Sequence, residues 1–151
     1  MERVDLAEVV AEALLLVAPR ARQLGVTLEE NVERPLPVTA DASALHQVLL
    51  NLFTNALQAM ADAESRTLTT TAFRVDQRVG VRVEDSGCGI ASDRLEQVFL
   101  PFFTSKGDHA DPERRGAGLG LSVSYGIAEA HGGTLEVDSV EGEGATFTLL
   151  L

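Results

Sequence analysis

Leu6, Val9, Val10, Ala13, Leu14 and Val17 recur at three- and four-residue spacing, which predicts an amphipathic helix over residues 5–23 that ends at Gly25. Residues 26–32 change to an irregular alternation and read as a strand, and residues 35–39 as a short extended piece at a sheet edge. A second helical period begins behind Ala40 or Asp41, with Asp41 or Ser43 available to cap it. Its core stripe is Leu45, Val48, Leu49, Leu52, Phe53, Ala56, Leu57 and Met60. Residues 67–74 and 78–84 form two strands around a tight turn at Val75, Asp76 and Gln77, and they deliver the chain to Asp85. A short helix is expected over residues 92–99, a polar stretch over 104–115, and a third main helix over about 119–130, stopped by His131, Gly132 and Gly133. Residues 134–140 and 145–151 close as a hairpin. Blocks in this order predict one domain: a two-layer α/β (α+β) sandwich, a mixed β-sheet with three main helices on one face.

Composition narrows what such a domain can do. Its 151 residues, 45% of them hydrophobic, suffice for one core. Against 23 acidic residues stand 12 Lys and Arg, a formal charge of −11 that leaves no basic stripe for nucleic acid. An anionic ligand would need a metal ion or local positive groups. Cys88 is the only cysteine, so no internal disulfide forms and a reducing, cytoplasmic setting is expected. The acidic first residues show no signal peptide. The uncharged run 42–61 is long enough to span a bilayer, but Ser43, His46, Gln47, Asn51, Thr54, Asn55 and Gln58 are too many polar groups to face lipid, so no membrane contact is expected.

Within that run, Gln47, Asn51, Asn55 and Gln58 occupy the stripe opposite the core residues. Solvated helix faces usually carry Lys, Glu and Arg, yet no charge occurs between Asp41 and Asp62. An amide face of this kind reads as the wall of a polar site. Asparagine can give a hard cation such as Mg²⁺ an oxygen ligand without burying a net charge. Three glycine-bearing stretches follow in order: Asp85-Ser-Gly87-Cys-Gly89-Ile90, Gly116-Ala-Gly118-Leu119-Gly120-Leu121, and Gly142-Glu-Gly144-Ala-Thr146. Grouped glycines with a fixed acceptor at Asp85 point to a nucleotide pocket, although any one of them can be a simple turn former. The middle stretch is not a dinucleotide fingerprint, because residues 111–115 before it are no buried strand, and the absence of any Gly-Lys pair excludes a P-loop.

Gln47-Val-Leu-Leu-Asn51-Leu-Phe-Thr-Asn55-Ala resembles the N box of the two-component sensor histidine kinases, and Asp85 to Ile90 their first glycine box. Phe99-Leu-Pro101-Phe102-Phe103 resembles their F box and Gly116 to Leu121 their second glycine box. Four motifs in the family's order, across essentially the whole chain, imply the GHKL (Bergerat-type) ATP-binding fold shared with type II topoisomerase, heat-shock chaperone and mismatch-repair ATPases. They also imply the catalytic and ATP-binding domain of such a kinase. By that resemblance Asn55 is the principal Mg²⁺ ligand, with Asn51 supporting metal and phosphates. Asp85 accepts from the adenine amino group, Gly87 and Gly89 let the base lie against the backbone, and Thr146 helps Asp85 hold adenine, directly or through water. Gly116, Gly118 and Gly120 bring N–H groups toward the phosphates, and Ile90, Leu119 and Leu121 are further nucleotide contacts. Residues 104–115 correspond to a lid.

Departures matter as much. Gln58 stands where many members carry a lysine, so Lys106, Arg114 or Arg115 is expected to supply the phosphate-facing charge. The hydrolysing relatives place a glutamate one turn before the metal asparagine; Asn51 there cannot act as a base, which favours transfer over hydrolysis. None of His46, His109 and His131 fits the family's phospho-accepting histidine, so the acceptor is expected on a separate dimerisation and histidine phosphotransfer domain absent from this chain. The expected partners are ATP and ADP, that domain and, indirectly, a response regulator; the isolated domain is expected to be monomeric. A GHKL serine-kinase anti-sigma regulator and a non-catalytic partner-binding module are the alternatives.

Overall fold

In the computed structural model, which describes residues 1–99 and 117–151, the two long helical periods and both hairpins take the forms their patterns require. The elements are β1 (Glu2–Asp5), α1 (Leu6–Gln23), β2 (Thr27–Val32), β3 (Pro37–Ala40), α2 (Ala42–Ala59), β4 (Thr67–Val75), β5 (Arg78–Asp85), a 3₁₀ turn (Leu95–Gln97), α3 (Ala117–Ala130), β6 (Thr134–Val140) and β7 (Gly144–Leu150). Asp5 caps α1: its carboxylate accepts from the Ala7 N–H at 3.0 Å and from the Leu36 N–H at 2.8 Å, so one side chain starts the helix and fixes the segment leading into β3. Asp41 does the same for α2, accepting from the Ala44 N–H at 3.2 Å. The short N-terminal strand β1 has no counterpart in the sequence reading. It exists because β3 pairs with it, antiparallel, as a two-stranded sheet of its own.

The main sheet has the order β2-β4-β5-β7-β6. Only β2 and β4 are parallel, joined through β3 and α2; the other pairs are antiparallel, which makes the sheet mixed. Strand alternation then sorts the faces. Leu68 and Ala72, Val79, Val81 and Val83, and Ala145, Phe147 and Leu149 are buried under the helices. The other face carries Thr69, Thr71, Phe73, Arg82, Glu84, Thr146 and Thr148, partly open, with the Arg82 guanidinium 5.1 Å from the Phe73 ring centroid. The stripe predicted for α2 is buried in full, and each such leucine or phenylalanine stabilises the fold by roughly 1.5–3 kcal/mol relative to exposure.

The helix expected over 92–99 is a correction: those residues form turns and the single 3₁₀ turn Leu95–Gln97. Val98 reaches the core while Ser92, Asp93 and Arg94 stay exposed, too few apolar positions to repay helix nucleation.

Candidate functional site

The amide face of α2 meets the first turns of α3. The Asn51 side-chain N–H₂ donates to the Gly120 carbonyl at 3.2 Å and to the Ser124 hydroxyl at 3.2 Å, and that hydroxyl donates to the same carbonyl at 2.8 Å. A Cβ on Gly120 would lie 3.4 Å from Asn51 Cγ, at the edge of ordinary contact. Further along, the Asp41 N–H donates to His131 Nε2 at 3.1 Å, while His131 Nδ1 lies 2.8 Å from the Ile127 carbonyl. An imidazole that accepts at Nε2 and meets a carbonyl at Nδ1 carries its proton on Nδ1. Two polar contacts thus stitch α2 to α3. Asn55, one turn beyond Asn51 toward the helix C-terminus, is half-buried and has no hydrogen-bond partner among the described residues.

Asp85 ends β5 on the inner face of the sheet, 8% exposed, and one of its carboxylate oxygens accepts from the Gly87 N–H at 2.9 Å. The loop it opens is tied down on both flanks. On the α2 side, the Cys88 N–H donates to the Ala59 carbonyl at 3.2 Å, and the Ser86 hydroxyl donates to the Ser65 carbonyl at 2.7 Å while accepting from the Thr67 N–H at 2.9 Å. On the hairpin side, the Gly142 N–H donates to the Cys88 carbonyl at 2.7 Å, and Ser139 accepts from the Ile90 N–H at 2.7 Å while donating to the Gly144 carbonyl at 2.8 Å. A Cβ on Gly87 would run into the Ala59 carbonyl, and one on Gly89, at φ +70°, into the Val140 carbonyl. These glycines therefore serve loop-to-helix and loop-to-strand packing.

The structure brings Asn51, Asn55, Gln58, Asp85, Gly87 and Gly120 to one end of the fold, between the C-terminal half of α2, the 86–90 loop and the start of α3. Ile90 and Leu121 are buried in the core beside them, at 8% and 6% exposure, and Gly118 and Leu119 fall in the first turn of α3. Gln58 and Gly87, with Asp62, Glu64, Ser65 and Ser86, line an open cleft of about 480 Å³. Thr146 and Asp85 both line an open pocket at the β5–β7 end of the sheet, but they are not cross-strand partners. Thr146 pairs with Glu84 across β5 and β7, whereas Asp85 pairs with Ala145, so the pleat puts the Thr146 and Asp85 side chains on opposite faces of the sheet. Leu100, Pro101, Phe102 and Phe103 of the F box, Lys106, His109, Arg114, Arg115, Gly116 and the expected lid lie outside the described residues. His46 is on α2, 2.8 Å from the Glu12 carboxylate.

Sequence reasoning missed Ser86, Ser124 and Ser139, small polar residues that hold the site's frame. The only signal for Ser124 was its place one turn after Gly120 on the same helix. Among the described residues no cluster of three or more His, Cys, Asp or Glu could hold a metal, and no helix is long and apolar enough to cross a membrane.

Residues 40–151 match the family model described as histidine kinase-, DNA gyrase B-, and HSP90-like ATPase. The whole chain is 41% identical to the sensor histidine kinase ZraS of Escherichia coli strain K12 and spans 31% of that protein's length. Its fold superposes on the catalytic domain of histidine kinase ThkA with a TM-score of 0.84 at 30% identity, covering all of this chain and 95% of that one. Full-length ShkA, solved in complex with AMPPNP, matches with a TM-score of 0.82 at 31% identity, over 98% of this chain and 30% of ShkA.

Proposed function

Because the chain belongs to the family of histidine kinase-, DNA gyrase B- and HSP90-like ATPases, as the ATP-binding catalytic domain of a sensor histidine kinase, we propose that it binds Mg²⁺-ATP against the amide face of α2 and presents the γ-phosphoryl group to a histidine on another domain. One observation carries this reading: Asn55, half-buried without a partner, sits between the strapped Asn51 and the anchored Asp85 loop on a helix face that carries no charge. The donor set fits a hard cation held jointly with a nucleotide. Amide oxygens of Asn55 and, in support, Asn51 would hold it, and no protein carboxylate cluster competes for it among the described residues. When bound, Mg²⁺ neutralises charge on the phosphates.

The chain's own residues do the rest. Asp85, fixed by the Gly87 N–H, offers a carboxylate acceptor at the sheet end and so reads the adenine amino group. The start of α3, with Gly118 and Gly120, gives phosphates N–H groups and the positive end of a helix, and the motif assigns Gly116 the same role. Lys106 and Arg115 supply further charge to them, and Ile90 and Leu121 an apolar wall for the base. Phosphoryl transfer asks mostly for positioning and charge neutralisation, and an amide at Asn51 cannot take a proton from water, so transfer to an acceptor prevails over hydrolysis. Residues 1–151 act as one catalytic unit, and the acceptor is the histidine of a dimerisation and histidine phosphotransfer domain, which then passes the group to a response regulator. An ATP supply places this unit in the cytoplasm.

Calorimetric titration with ATP, in excess Mg²⁺ and in chelator, tests the reading. Saturable binding strengthened by Mg²⁺ supports it. No binding in either condition would leave only a partner-binding module.

A further inference from the structure

We propose that Ser124 is a positioning residue: its hydroxyl, with the Gly120 carbonyl, accepts from the Asn51 amide nitrogen and so turns the amide oxygen toward Mg²⁺-ATP. The proposal rests on the reading of Asn51 given above. Among the described residues, Thr70 and Ser124 are the fully buried hydroxyls, each 0% exposed. Thr70 has no partner, whereas Ser124 is bonded twice, inside a closed circuit of three groups.

The direction of that circuit follows from chemistry. A side-chain amide has two near-isosteric ends, and a serine hydroxyl alone would accept from one end or donate to the other equally well. Here the hydroxyl donates to the Gly120 carbonyl at 2.8 Å, and while it does so its oxygen accepts from Asn51. The Gly120 carbonyl, 3.2 Å from the same amide, is acceptor-only. A flipped Asn51 would set its own oxygen against the Gly120 carbonyl, and the Ser124 hydroxyl could meet that oxygen only by leaving the carbonyl, a cost of the order of 1–3 kcal/mol in comparable settings. The amide nitrogen therefore faces α3, and the Asn51 oxygen accepts no hydrogen bond among the described residues. Because Gly120 lies in the phosphate-facing stretch of α3, the circuit also ties the orientation of this oxygen to the helix start that meets the nucleotide.

The variants are Ser124→Ala, Ser124→Thr, Asn51→Ala and the Asn51→Ala/Ser124→Ala pair, each titrated with ATP in excess Mg²⁺ and in chelator. Side-chain amide NMR of the ligand-free protein supplies a readout independent of nucleotide. We expect Ser124→Ala to weaken Mg²⁺-ATP binding by about tenfold, the scale of an orienting group behind a metal ligand, with little change in chelator. Ser124→Thr, which keeps the hydroxyl, restores the parent value. The double variant binds no worse than Asn51→Ala, and the Asn51 amide protons lose exchange protection in Ser124→Ala. Equal losses with and without Mg²⁺, or an Asn51 amide signal unmoved by Ser124→Ala, would overturn the proposal and leave Ser124 a packing residue. Parent-like Mg²⁺-ATP binding by Asn51→Ala would instead overturn the reading of Asn51 itself, and the proposal with it.

Discussion

Asn55 and Thr70 are both polar side chains without a hydrogen-bond partner among the described residues, and their surroundings give them opposite meanings. Thr70 is fully buried on the inner face of β4, where an unpaired hydroxyl costs free energy and no ligand can reach it. Thr70→Val, nearly isosteric, is expected to stabilise the fold by about 1 kcal/mol, read as a raised midpoint in urea unfolding. Asn55 faces the site from a half-buried position, so its unmet bonds are available to a ligand. Asn55→Ala should keep the circular dichroism spectrum and melting behaviour of the parent while losing about tenfold or more in Mg²⁺-dependent ATP affinity. A folded variant with unchanged Mg²⁺ dependence would remove Asn55 from the metal. Asp85 poses a question of selectivity: its carboxylate is acceptor-only, and an amide is not. The parent should prefer ATP to GTP in competition titrations, and Asp85→Asn should narrow that preference; equal binding of the two by the parent would exclude the adenine role.

At the scale of elements, the site is a junction of backbone surfaces that only glycine permits. Gly87→Ala would drive a methyl into the Ala59 carbonyl at the end of α2, and neither partner is a flexible side-chain tip that could step aside. We expect a loss of about 1–3 kcal/mol in denaturant unfolding, accompanied by weaker ATP binding. Unchanged stability would show that the loop is not seated on α2 as described. This junction also marks how far the sequence could be read. α2 was legible residue by residue because a long apolar period and its opposing amide stripe admit one solution. β1 was not, since a strand of 4 residues carries too little pattern and exists through its pairing with β3. The candidate site was legible in its glycines and asparagines, whose types announce their chemistry. It was illegible in Ser86, Ser124 and Ser139, whose roles arise only when separate elements meet. Register was illegible at Thr146: one residue along a strand is one face of the sheet, and Ala145, not Thr146, is paired with Asp85.

For the molecule as a whole, the proposed nucleotide site and the placement of His46 and His131 set what the isolated chain is expected to do. His46 is engaged with the Glu12 carboxylate on α1, and His131 is committed at both ring nitrogens to the α2–α3 contact. Neither is presented as a free nucleophile, and phosphorylating His131 would break the contact that positions α2. Little hydrolysis is expected too, because Asn51 turns its amide nitrogen to α3 and has no basic lone pair to activate water. The expected outcome with radiolabelled ATP is binding, little phosphate release and no acid-labile label on this chain. Adding a family-matched dimerisation and histidine phosphotransfer domain in trans should produce label on that domain, slowly, because without a tether the acceptor's effective concentration is only its bulk concentration. The formal charge of −11 adds a second dependence: screening by salt should speed the encounter if the added domain is acidic and slow it if basic. Strong acid-labile labelling of this chain alone would place the acceptor within residues 1–151, and rapid phosphate release would show that an amide at Asn51 does not prevent hydrolysis.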